Sequence, residues 1–183
     1  MTGRIFTADH HVYDLPPLLS WNVRHTGTVP CDSWSVTAVY QPEMLTVLRM
    51  AAGFAAIENG MTQLRGIVDE YTVELGSRGM TVTLSGRGYA ARLLDNESRP
   101  VTYEQVTLRE LVRCHAEPYG ISCGAAADLR STVPYTAGAG ISQWKVISEF
   151  CRTYGGFLPR FAKTGELLAV PEKDDGKRIV IDD

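Results

Sequence analysis

Long apolar runs are missing from this chain. No window approaches the roughly 18 uninterrupted apolar residues that cross a bilayer, and the opening MTGRIFTADHH has no apolar run of the signal-peptide kind. The expected compartment is a cytoplasm, with no membrane contact. A basic surplus is missing too: 18 Lys and Arg stand against 21 Asp and Glu, a net charge of -3. Proteins that bind by neutralising phosphates carry the opposite balance, although a local basic patch stays open. Cysteine is sparse and unpaired in spacing. No two of Cys31, Cys114, Cys123 and Cys151 form the C-x-x-C of a zinc knuckle or redox pair. Cys114, His115 and Cys123 supply three ligands where a structural zinc needs four, and sequential helix residues point about 100° apart. The cysteines therefore read as small buried or half-buried thiols.

A catalytic constellation is also absent. Asp9, His10 and His11 lie together without a nucleophile, and Asp174-Asp175 and Asp69-Glu70 are adjacent acids. On a strand, Asp69 and Glu70 face opposite ways and cannot act as a carboxylate pair. Ser85-Gly86-Arg87-Gly88 is not the G-x-S-x-G of a nucleophile elbow. No catalysis, metal or cofactor is expected.

What the chain does have is length and β-character. Its 183 residues and 44% hydrophobic content suffice for one large domain or two small ones. Residues 4–7, 19–25, 33–40, 53–58, 64–75 and 80–85 are rich in β-branched and aromatic side chains. Turn residues separate them: Pro16-Pro17, Gly27, Pro30, Asn59-Gly60 and the run 76–79. Trp34, Val36, Ala38 and Tyr40 alternate with smaller or polar residues. In residues 67–75 the sorting is similar but imperfect. Asn59-Gly60 is the clearest hairpin signal. Six short strands in 85 residues predict a small barrel or sandwich. Residues 41–52 are the exception, a helix with Met44, Leu45 and Leu48 on one face and Gly53 as its C-cap.

Composition shifts after Pro100. Thr107-Leu108-Arg109-Glu110 is a capping box, and Leu108, Leu111 and Val112 recur at helical spacing until Pro118 and Gly120. A second helix runs from Ser142 to about Tyr154, burying Val146, Ile147, Phe150 and Cys151 and ending at Gly155-Gly156. The segments from Thr107 and Ser142 align without gaps, each followed by a candidate strand, as a helix–strand unit used twice. Residues 135–141 read as a loop. A hairpin joins residues 157–162 to 167–170, followed by a charged turn over 172–177 and a last strand over 178–181.

SGRGYAARLLDN, residues 85–96, places Gly86, Gly88 and Ala91 on the G-x-G-x-x-A spacing of dinucleotide-binding folds. Those folds also need a full crossover helix, a second parallel strand and an acid about 20 residues on. Here the helix stops before Pro100, Glu104 sits in a segment without buried-strand character, and the upstream strands form an antiparallel meander. The plainer reading is that Gly86 and Gly88 let the chain leave a strand at close quarters, while Leu93 and Leu94 pin a short helix.

These residues resemble a known family. A strand ending in Ser-Gly-Arg, a short helix and Leu-Leu-Asp are similar to the first-domain signature of tail baseplate hub proteins, the late control D type found in contractile-tailed phages and related contractile injection systems. Upstream, Asn59-Gly60 and Gly66-Ile67-Val68-Asp69 resemble that family's hairpin. Downstream, residues 107–121 and 140–158 resemble its helix-plus-strand elements, and Gly165-Glu166-Leu167 its last hairpin. The likeness covers residues 50–170. It implies Gly66, Asp69, Gly86, Arg87, Leu94, Asp95, Gly120, Trp144 and Gly165 as structural signature positions. The implied fold is α+β and predominantly β, with a β-barrel-like hub domain over 1–100 and an α+β domain over 101–183. The implied role is a non-catalytic virion structural protein of a phage or prophage, assembled in the host cytoplasm. As a homotrimeric ring it would join the tail tube to the central spike and leave a channel through which DNA passes without specific binding. Such hubs continue well beyond this length, so either the segment is part of a longer chain or its barrel strands come from another polypeptide. From a different class, the exposed-aromatic reading makes Trp21, Trp34 and Trp144 contacts of a non-catalytic small-molecule or carbohydrate-binding β domain, against a plainer reading of Trp34 and Trp144 as core.

Overall fold

The computed structural model describes residues 1–26, 30–77 and 79–172. Gly27, Arg78 and the predicted strand over 178–181, with all of the preceding turn except Glu172, lie outside the described residues.

Alternation of apolar and polar side chains builds the first sheet. β1 (Thr2–Thr7), β3 (Leu18–Arg24), β4 (Ser33–Val39), β5 (Ala51–Glu58), β6 (Met61–Gly76) and β7 (Gly79–Gly88) match the predicted strands to within a few residues, and β2 (Val12–Asp14) is added. Every neighbouring pair is antiparallel, in the order β2-β1-β5-β6-β7-β4-β3. In β4 the predicted face is buried at Trp34, Val36 and Ala38. At the β5–β6 turn Asn59 and Gly60 both take positive φ, 51° and 75°, the geometry a tight two-residue hairpin needs.

The sheet curls on itself. Trp34 of β4 stacks on Phe54 of β5 with ring centroids 3.8 Å apart, although β6 and β7 lie between their strands. The expected barrel is nevertheless not closed: among the described residues β2 and β3 pair on one side only. Leu15-Pro16-Pro17 links them, and prolines have no N–H with which to extend a ladder. α1 (Met44–Met50) inserts Met44 and Leu48 into this core. Leu45 is more exposed than the shared face predicted, and Gly53 lies inside β5 rather than capping α1, because the chain turns extended already at Ala51 (ψ 120°).

A second hydrophobic cluster is built from later residues. α2 (Ala90–Leu94) leads to β8 (Val101–Tyr103), which pairs with β10 (Tyr135–Ala137). The reading of residues 135–141 as loop is therefore corrected for 135–137, while β8, with no fully buried residue, is a strand without the buried character a parallel-sheet strand would need. Three residues are too few for period-two alternation to register. α3 (Leu108–His115) starts at the predicted capping box: Thr107 Oγ1 accepts from Glu110 N–H, and the Glu110 carboxylate accepts from Thr107 N–H. α4 (Gln143–Gly155) is capped by Ser142, ends at left-handed Gly156, and buries Val146, Ile147, Phe150 and Cys151 as predicted. α3 is followed by β9 (Cys123–Ala126) and α4 by β11 (Arg160–Phe161). The two strands flank β12 (Leu167–Ala169), β9 in parallel and β11 antiparallel. The chain is thus α+β and predominantly β. Among the described residues no helix is long and apolar enough to cross a membrane.

Candidate functional site

The SGRGYAARLLDN segment lies where β6, β7 and α2 meet. Paired β6 and β7 approach closely because they carry glycines: a Cβ on Gly66 would collide with the Arg87 carbonyl oxygen, and one on Gly86 with the Ile67 carbonyl oxygen. The Trp34 ring covers Gly86, and Trp34 Nε1 donates to Ile67 O at 3.1 Å. The register slips between Val68 and Glu70, leaving Asp69 as the extra residue of a β-bulge. That bulge explains the imperfect alternation. Leu64, Gly66 and Val68 face the core before it, and Tyr71 and Val73 after it.

The bulge aims Asp69 at Arg87. Arg87 Nε and Nη2 donate to the two Asp69 oxygens at 2.8 and 3.0 Å, while Nη1 and Nη2 donate to the two Asp95 oxygens at 3.1 and 2.8 Å. One guanidinium thus clasps two carboxylates in fork geometry, tying the bulge to the end of α2. Hydrogen bonds to Asp69 and Asp95 raise the Arg87 pKa, and its hydrogen bonds lower that of Asp95. Leu93 is fully buried in the hydrophobic cluster of α3 and α4, and Leu94 is half-buried. The arrangement has no dinucleotide geometry, since α2 has five residues and β7 pairs antiparallel on both sides.

Three of the predicted positions lie elsewhere. Gly120 takes φ 71° after the short 3-10 turn Glu117–Tyr119. Gly165, at φ 87° in the β11–β12 turn, packs on the Tyr89 ring, and Lys163 beside it donates to Gln63 Oε1 at 2.8 Å, so this hairpin docks on the first sheet. Trp144 is half-buried, 5.9 Å from the Phe161 ring, and shares a cavity of about 290 Å3 with His25 and Asp32. Trp34 is core, at 3% exposure, whereas Trp21 is half-exposed.

The candidate catalytic and metal groups are dispersed. His11 pairs with Asp9 at 3.1 Å on the surface. Asp69 is engaged by Arg87, and Glu70 accepts from Ser85 Oγ at 3.0 Å. Asp174 and Asp175 lie outside the described residues. No group of three or more metal-ligating side chains occurs among the described residues. Burial pushes the Cys151 thiol up to about 12. Cys114 and Cys123 are exposed, against the reading of them as buried or half-buried.

His115 has a role that sequence reasoning missed. Buried between α3 and α4, it bonds Gln143 Oε1 through Nδ1 at 2.6 Å and Tyr103 OH through Nε2 at 3.0 Å. Gln143 Nε2 donates to both Glu97 O and Tyr119 OH, so its Oε1 must accept, and Nδ1 of His115 carries the proton. Partners 12 and 28 residues away leave no local signal.

No protein-family model and no curated protein matches the sequence. Among solved structures, the chain is similar to the tail protein from Neisseria meningitidis MC58, with TM-score 0.65 and 14% identity over 91% of this chain and 49% of that one. It is also similar to the prophage MuSo2 43 kDa tail protein from Shewanella oneidensis, with TM-score 0.69 and 14% identity over 91% of this chain and 53% of that one. This is a tail-protein fold. The chain spans about half the length of those two tail proteins. Within the tail-protein fold two exposed apolar features stand out. Edge strand β3 carries Trp21 on the core side of the sheet, opposite Val36, at 50% exposure. Leu75 and Met80, paired at the β6–β7 tip, continue the face of Val82 and Leu84 beyond the core, with Leu75 81% exposed.

Proposed function

We propose that the chain is a non-catalytic structural protomer of a phage or prophage tail, in the baseplate hub. The observation that carries this reading is the tail-protein fold over nine-tenths of the chain. Three copies form a ring that joins the tail tube to the central spike in the virion, leaving a channel through which DNA passes without specific binding. The edge of β3 supports it: a strand that, among the described residues, pairs on one side only and carries a half-exposed Trp21 suits pairing across subunits. A net charge of -3 suits a conduit that does not hold DNA. In this reading residues 1–100 and 101–183 are separate domains, and the Arg87 clasp, Gly120, Trp144 and Gly165 hold the protomer's shape.

Light scattering after gel filtration tests the ring. A native mass three times the 20.1 kDa chain, falling to one on Trp21→Glu, is expected. A monomer at high concentration rejects a ring held by these residues alone. The second reading, a small-molecule or carbohydrate-binding β domain, is favoured by the Trp144–Phe161 pair lining a cavity. A change in tryptophan emission on adding glycans or nucleotides, lost in Trp144→Phe, would favour it over the hub.

A further inference from the structure

β9 (Cys123–Ala126) is an outer strand. It pairs with β12 on one side, and no strand among the described residues borders the other. α3 runs alongside without a backbone hydrogen bond to it. Between them lies a groove of about 960 Å3. Peptide groups of a strand point alternately to its two sides, so β9 turns N–H and C=O groups to a side where no strand among the described residues pairs with them. Exposed edges are commonly blocked by lysine, proline or a covering segment. Gly124, Ala125 and Ala126 offer only hydrogen and methyl groups, so another backbone can approach to bonding distance.

The charge around this edge is uneven. Arg109 and Arg113, one turn apart on α3, both line the groove and are exposed. Among the described residues neither forms an ion pair. The neighbouring Glu110 carboxylate is already engaged by Thr107 N–H and Oγ1, both at 2.8 Å. Glu117, four residues beyond Arg113, lines the same groove.

We propose that this groove receives an extended acidic segment of a partner protein, which adds to β9 as a further strand and sets its carboxylates against Arg109 and Arg113. Backbone pairing along four residues, about 13 Å, supplies the affinity, and the arginine forks select the charge. The surface is distinct from the β3 edge assigned to the ring, so the two readings stand or fall separately.

The probe is a fluorescein-labelled hexapeptide alternating glutamate and valine, titrated into the full chain by fluorescence polarisation. A lysine–valine counterpart and a glutamate–valine version N-methylated at alternate peptides serve as controls. Expected is saturable binding of the acidic peptide alone, weakened about tenfold or more in the Arg109→Glu/Arg113→Glu variant and by raised salt. Cys123 lines the groove and Cys114 does not, though both are exposed. Bound acidic peptide should therefore slow iodoacetamide alkylation of Cys123 and leave Cys114 unchanged, a readout independent of the arginine variant's folding. No binding, equal binding of the lysine or N-methylated peptide, or equal protection of both cysteines overturns the proposal. So does self-association of the chain that the double variant abolishes, which would make the occupant a second copy.

Discussion

Gly86 has room for a hydrogen atom and nothing larger, because the Ile67 carbonyl and the Trp34 ring meet where a Cβ would stand. Both are fixed, the carbonyl by the β6–β7 ladder and the ring by its stack on Phe54. Gly86→Ala should therefore cost about 3 kcal/mol or more, at the upper end for overpacking. A midpoint in urea within error of the parent would show that the strands can move apart. The Arg87 clasp makes a smaller, pH-dependent contribution. The Asp95 pKa is lowered by Arg87, so its stabilisation is present above the ordinary carboxylate pKa, about 3.9, and is lost as pH falls through the lower folded value. With the side chains 39% and 52% exposed, screening limits the pair to about 1 kcal/mol. Arg87→Ala should lower the urea midpoint at neutral pH, with the gap narrowing towards about pH 2. A gap that does not narrow would mean that packing of the guanidinium, rather than charge, is what was lost.

At the scale of elements, the two long helices are set by their first residues and locked by one buried network. Thr107→Ala or Ser142→Ala removes a cap and should cost about 1 kcal/mol, or about 2–4 °C in Tm for a chain of this size. Gln143→Leu, one residue after the cap, should cost more. It leaves the buried His115 Nδ1–H without a partner, at about 1–3 kcal/mol, and unpairs the half-buried Tyr119 OH and the carbonyl of exposed Glu97, which water can reach. Thermal melts of the three variants check the order, and a Gln143→Leu protein as stable as Ser142→Ala would mean that water replaces the amide.

For the whole molecule, two hydrophobic clusters share no residue: the buried members of one run from Ile5 to Leu84, those of the other from Leu93 to Ala169. Tyr89 sits at their junction, with Arg92 4.6 Å and Arg65 5.9 Å from its ring and Gly165 against it. In a Trp144→Phe background, tryptophan emission reports the first cluster and far-UV ellipticity at helical wavelengths the second. The two urea transitions should coincide in the parent and separate in Tyr89→Ala; coincidence in both would make the clusters one cooperative unit. Much of each cluster was legible locally. Alternation in β4, the Asn59-Gly60 turn and the Thr107 capping box depend on side chains a few residues apart, and each formed as the pattern required. The bulge at Asp69 left only a blurred alternation, since its phase change has meaning only against β7. β8 and β10 were invisible because three-residue strands exist only through pairing across more than 30 residues. By itself, then, the sequence determined where the longer strands and the two capped helices begin and most of the faces they bury, because propensity, capping and period are local. Tertiary structure alone decided that, among the described residues, the curled sheet stays open, Arg87 holds two carboxylates and β9 has a strand on one side only, beside two arginines. Each of these depends on which distant segments meet.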